Sequence, residues 1–146
     1  MYPASIMPAA ADAIAQGRRA RNEGILPVAR ERYADAARIY REQNDFLAYA
    51  HTIRHVADIY VQEHNLAEAK PLYEEALELY RSNLNTKLLD LANTVRPYAL
   101  LNEEQGNFDL ATKLWREARH LYGSLRLDVG VSECDEHLAR LRQSAE

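Results

Sequence analysis

The residues best suited to chemistry cluster between positions 51 and 58, where His51, His55 and Asp58 form the pattern HxxxHxxD. On a helix, residues three and four apart share a face, so two imidazoles and a carboxylate could reach one metal ion. Helices built for metal-assisted hydrolysis carry a Glu directly after the first His. Here that position is Thr52, and no third strong ligand is assignable elsewhere. No metal and no cofactor are therefore expected. The single cysteine, Cys134, falls on the apolar stripe of its helix, where a thiol packs instead of reacting. The chain has no glycine-rich phosphate loop and no serine in a strand-to-helix elbow. Acidic residues are plentiful, but no spacing pairs two of them in a shared pocket. The reading is a non-catalytic protein with no catalytic residues.

Composition narrows the classes further. A length of 146 residues suits one domain. A formal charge of −4 with a pI near 5.8 argues against a general nucleic-acid binder, which would show a basic face. One cysteine rules out an internal disulfide and a cysteine-built zinc site. No apolar run approaches the roughly 18 residues of a membrane span. The opening MYPASIMPAAADAIA has neither a basic start nor a sustained apolar core, so no secretion signal is expected. No membrane and a cytoplasmic location are the expectations.

The elements that would position these residues are helices. Residues 1–8, MYPASIMP, carry two prolines and no period, and read as a mobile tail. Apolar spacing of three and four then predicts helices over about 9–23, 27–43, 46–63, 66–80, 87–105, 108–125 and 129–142. Their stops are Gly24, Asn44-Asp45, His64-Asn65, Asn83 to Thr86 and Gly106-Asn107, and Asp128 would cap the last helix. Pro27 is harmless in a first turn, where its missing N–H has no intrahelical partner. Pro97 lies inside a helical pattern and should lose the bond to the Asn93 carbonyl, so a kink or a break is expected there. Seven helices and no strand is the expected count.

One motif recurs through these helices. Ala69, Tyr73, Ala76 and Leu79-Tyr80 reappear at Ala29, Tyr33, Ala36 and Ile39-Tyr40, and again at Ala111, Trp115, Ala118 and Leu121-Tyr122. The first two copies are 40 residues apart and the next two 42. Shorter partners keep the same offsets: Gly17, Ala57 and Ala99; Gly24, His64 and Gly106; Ala13, Ile53 and Val95. A small residue mid-way through one helix, a turn, then Ala, an aromatic and Ala in the next resembles the tetratricopeptide repeat (TPR) family. That family's usual period is about 34 residues. The longer period here resembles its long-repeat branch typified by the kinesin light chain, whose AEPLYERALEI run compares with AEAKPLYEEALEL. The Trp usual early in the first helix is absent, with Ala13, Ile53 and Val95 in its place.

The resemblance implies an all-α fold, a right-handed α-solenoid of three helix-turn-helix repeats plus a C-terminal capping helix. The repeats would cover about residues 9–44, 45–85 and 86–125, within one domain at 9–146, and the cap about 128–142. Tyr33, Tyr73, Trp115, Tyr40, Tyr80 and Tyr122 would then be core. The cap would send Glu133, Glu136, Arg140 and Arg142 to water. In the family the first helices of successive repeats line a concave groove. That places Ala11, Ile14, Arg18 and Arg21, then His51, Arg54, Asp58 and Gln62, then Asn93, Arg96, Leu100 and Glu103 toward a ligand. Arg54 and Arg96 are equivalent positions, and arginine forks suit carboxylates.

The expected function is thus non-catalytic protein–protein interaction. A peptide or helical segment, acidic in character, would be gripped by His51, Arg54, Asp58, Asn93 and Arg96. The alternative is a structural, self-associating unit whose groove or end face is filled by another copy, which makes a homo-oligomer the competing partner.

Overall fold

The computed structural model describes residues 7–144. Most of the tail expected over residues 1–8 lies outside them; its last two residues, Met7 and Pro8, open the first helix. Seven helices follow in order: α1 (Met7–Asn22), α2 (Leu26–Glu42), α3 (Phe46–Gln62), α4 (Leu66–Arg81), α5 (Leu88–Glu104), α6 (Phe108–Ser124) and α7 (Asp128–Ser144). No strand occurs among the described residues. The helices group into two compact units, Met1–Asn83 and Leu84–Glu146, divided within the 83–86 break that the sequence marks.

Five of the turns share one construction. The N–H groups of Ile25, Asp45, Asn65, Asn107 and Leu127 donate to the carbonyls of Ala20, Tyr40, Tyr60, Asn102 and Tyr122, each five residues back. This closure satisfies the last helical carbonyls and needs one left-handed residue just before it. Those residues are Gly24, Asn44, His64, Gly106 and Arg126, with φ between 58° and 80°. His64 and Arg126 pay a steric cost there that glycine does not. His64→Gly should therefore raise stability by about 0.5–1 kcal/mol, measured by thermal unfolding, although its imidazole is removed. Downstream, the Asp45 and Asn65 side chains accept from the N–H groups of Ala48 and Glu68 and cap α3 and α4.

In the first unit α2 packs between α1 and α3, and α3 packs on α4. Ala20, Ala29, Tyr33, Val56 and Ile59 form a buried cluster on which Leu72 of α4 rests. Gly17 shows why small residues recur mid-helix: an added Cβ would stand 3.0 Å from Cδ2 of Tyr33 and 3.3 Å from the Ala29 carbonyl. The second unit packs α6 between α5 and α7. Tyr33, Tyr73, Tyr80, Trp115 and Tyr122 are buried, whereas Tyr40 is only half-buried.

At Pro97, of the expected kink or break, there is no break. Helix α5 runs unbroken from Leu88 to Glu104 through it. Val95, Tyr98 and Ala99 on either side are buried, and packing of that face holds the helix across one missing bond.

Gly130 is a second special glycine. A Cβ there would meet Cγ of Tyr122 at 2.6 Å and both Cδ atoms at 2.9 Å. The ring is anchored by its hydroxyl, which donates to Oδ1 of Asn93 at 2.8 Å, so it cannot swing aside without breaking that bond. Gly130→Ala would gain about 1 kcal/mol in an open helix. Here overpacking reverses the sign, and a net loss of about 1–2 kcal/mol is expected in urea unfolding.

Candidate functional site

Spacings of three and four place His51, Arg54, His55 and Asp58 together on α3. Nη1 of Arg54 donates to Oδ2 of Asp58 at 2.9 Å, and the Tyr73 hydroxyl of α4 donates to Oδ1 at 2.5 Å. Burial pushes the Asp58 carboxyl above its ordinary range, opposed chiefly by the Arg54 charge. Burial, then Asp58, pushes the Tyr73 hydroxyl far up, so it stays a donor. The His55 ring stacks on Tyr33 of α2, with centroids 5.3 Å apart and planes 12° from parallel, and His51 meets it edge-on at 4.8 Å. Burial first, then the charges of Arg54, His51, Arg21 and Arg18, pushes His55 down to about 3. It is neutral at physiological pH. Two nitrogens here, Nε of Arg54 and Nδ1 of His55, are buried and find no hydrogen-bond partner among the described residues.

This face gathers positive charge around one carboxylate and two imidazoles. The charges of Arg54 and Arg21 act on the Asp58 carboxylate, those of Arg54, Arg21 and Arg18 reach His55, and Nε of Arg21 donates to Oε1 of Gln62 at 2.7 Å, which ties α1 to α3. The HxxxHxxD pattern is used otherwise than for a metal: both Asp58 oxygens are engaged and His55 is stacked. Among the described residues, no group of three or more His, Cys, Asp or Glu is placed to hold a metal ion. Cys134 is fully buried, and burial, then Glu133 and Asp135, pushes its thiol up to about 11. A neutral thiol of that kind is a packing group.

Asn93 and Arg96 belong to the second unit. They border a cleft of about 450 Å³ that Tyr122, Leu127 and Val129 line on the apolar side. Glu133 closes it. Instead of facing water, as expected of the cap, Glu133 accepts a two-pronged ion pair from Nε and Nη2 of Arg96 at 2.5 and 2.7 Å. That hydrogen bonding holds its carboxyl below the usual range. The reason is reach: α7 packs on α6, and the Glu133 side chain extends from there to α5. Arg96 is thus neutralised within its own unit. Glu103, also placed toward a ligand by resemblance, turns inward. Its Oε1 accepts from Nε1 of Trp115 at 2.9 Å and lies 2.9 Å from Nδ1 of His137.

His137 went unremarked in the sequence. It stacks on Trp115 at 4.0 Å and 10°, as His55 stacks on Tyr33. The two histidines are 82 residues apart, the sum of the two repeat offsets, and that spacing was the available signal.

Paired helices of 16–17 residues, a small residue against an aromatic in the first pair, and recurrent left-handed turns therefore define the architecture. A tetratricopeptide-repeat family model matches residues 46–124, more than half of the chain. The chain belongs to the tetratricopeptide repeat family. TPR repeats in general mediate protein–protein interaction. Among solved structures, the crystal structure of BtubC (BKLC) from P. vanneervenii is similar, with a TM-score of 0.67 and 16% sequence identity. The match covers 93% of this chain and 64% of that one, so this TPR chain spans less than two thirds of its neighbour's length. The likeness shows the all-α helical-repeat fold. No curated protein matches the chain. Among the described residues, no helix is long and apolar enough to cross a membrane.

Proposed function

We propose that this TPR chain is a non-catalytic interaction module that binds an acidic peptide or helical segment of another protein. In the first unit the proposed contacts are His51, Arg54 and Asp58 on α3; in the second unit, taken by itself, they are Asn93 and Arg96 on α5. The observation that carries the reading is the α1–α3 face, where Arg18, Arg21 and Arg54 gather near His55 and a single carboxylate, Asp58, pairs with Arg54. Cations held this close repel unless an anion joins them, and a carboxylate offers the matching fork. The two unpartnered nitrogens of Arg54 and His55 add to this, since stability alone would have removed them. Within the second unit, Arg96 contributes through the part of its side chain left exposed, with Glu133 as the group an incoming carboxylate displaces.

Arrays of short peptides, acidic and charge-neutral, probed with the whole chain at low and high salt would test this. Salt-sensitive retention of acidic peptides is expected, and it should fall with His51→Ala, Arg54→Lys and Arg96→Gln. Equal retention of neutral peptides, or indifference to all three substitutions, would overturn it. A cytoplasmic setting is part of the same proposal.

A further inference from the structure

Helix α3 has a second surface, on the side away from His51, Arg54 and Asp58. At about 3.6 residues per turn, Tyr49, Ile53 and Val56 fall on the opposite side of the helix from those three. There they border an open cavity of about 270 Å³ within the first unit, which Ala34 and Ala37 of α2 and Leu72 of α4 also line. The floor is the edge of the core itself. Tyr49, Ile53 and Val56 are 8%, 4% and 6% exposed, whereas Ala50, Ala57 and Ile59 on the same helix are 0% exposed. Two alanine side chains on α2 are too short to fill the space, so the gap stays open.

The walls are carbon. The Tyr49 hydroxyl is already engaged, donating to Oε1 of Glu75 at 2.5 Å. Charge enters on one side only, where Arg38 and Arg41, three residues apart on α2, border the cavity and are exposed. Arg38 has only a share of a carboxylate, because Asp35 lies 3.4 Å from Arg32 and 3.5 Å from Arg38. Arg41 forms no ion pair among the described residues; its guanidinium lies over the Tyr49 ring, 5.7 Å from the centroid. A ligand for this cavity needs an apolar body, since a polar group on these walls would lose its hydrogen bonds to water and gain none. It needs an anionic head at one end, where a guanidinium fork suits a carboxylate. The volume lies just under the roughly 300–1,000 Å³ of drug-sized sites, so the body is small.

We infer that the cavity between α2, α3 and α4 binds a free aliphatic carboxylate with a chain of about eight carbons. The chain lies against Ile53, Val56 and Leu72, and the carboxylate sits on Arg38 and Arg41. The site shares no residue with the acidic-segment contacts and does not rest on that reading.

Octanoate is the probe, added to the isotopically labelled whole chain and followed by the methyl signals in nuclear magnetic resonance. The Ile53, Val56 and Leu72 methyls should shift saturably, and those of Leu127 and Val129 should stay in place. 1-Octanol and octylamine have the same body with no charge or the wrong one, and should bind at least about tenfold more weakly. The double variant Arg38→Gln, Arg41→Gln should weaken octanoate by a similar factor. Ala34→Leu, at an exposed helical position where leucine is nearly as favourable, fills the cavity. It should abolish the shifts and leave the midpoint of thermal unfolding unchanged. Absence of a saturable shift, equal binding of 1-octanol, or binding indifferent to Ala34→Leu would overturn the inference. So would N-acetyl-leucine binding more tightly than octanoate, which would assign the cavity to the C-terminus of a peptide.

Discussion

Arg54→Met is expected to lower the stability of the first unit by about 3 kcal/mol at neutral pH, because it strands a buried carboxylate. Arg54 and Asp58 have side chains only 16% and 17% exposed, so solvent cannot replace the lost charge. The Tyr73 hydroxyl still donates to Asp58 but brings no charge. The loss should depend on pH with a definite sign. Asp58 already sits above its ordinary value through burial, and Arg54 is the chief influence holding it down. Without that cation its folded pKa rises further. A raised carboxyl contributes stability that is present below its unfolded pKa and lost as pH rises through the folded one. His55 is depressed to about 3, so its contribution is present above its unfolded pKa and lost as pH falls. Removing Arg54 lessens that depression. Both effects make the gap between wild type and variant shrink as pH falls from 7 toward about 4, near the unfolded Asp value. Urea unfolding at several pH values, followed by circular dichroism, checks this; a gap that is constant or widens toward acid would show that Asp58 is not the stranded charge.

Trp115→Ala should cost the second unit about 4 kcal/mol. The indole is fully buried against His137, and its N–H is one of the donors around Glu103. Truncation leaves a cavity the size of a bicyclic ring and removes the surface on which His137 lies. A unit of this size holds only about 5 kcal/mol in total, so the variant should be close to unfolding. Trp115→Phe separates the two parts: it keeps most of the packing and loses the donor, at about 1–2 kcal/mol. Equal losses for Ala and Phe would mean that the hydrogen bond, not the volume, dominates.

Much of this molecule is legible without coordinates because its order is local and repeated. The helix boundaries follow from apolar spacing and from Gly24, Asn44, His64 and Gly106, whose left-handed turns are specified within six residues of chain. The motif of small residue, aromatic and alanine repeats because each helix pair solves the same packing problem. Pro97 is undecided locally for the opposite reason: the local rule allows a kink or a break, and the structure shows no break, the flanking buried residues carrying α5 through. The candidate site is only half legible. His51, Arg54, His55 and Asp58 share a face by spacing alone. That Asp58 would be shared between Arg54 and Tyr73, and His55 spent on stacking, depends on α2 and α4 arriving alongside.

The sequence by itself thus determined seven helices, their turns, the repeat and membership of the TPR family, all of which rest on periodic, short-range constraints. Only the tertiary structure decided what each charge does. Arg96 is matched by Glu133 from α7, Glu103 by Trp115 and His137, and Lys113, Arg116 and Arg142 by nothing among the described residues. Side-chain partnership of this kind has no period. It is set by how far a side chain reaches from one packed helix to the next, a distance that exists only once the helices are in place.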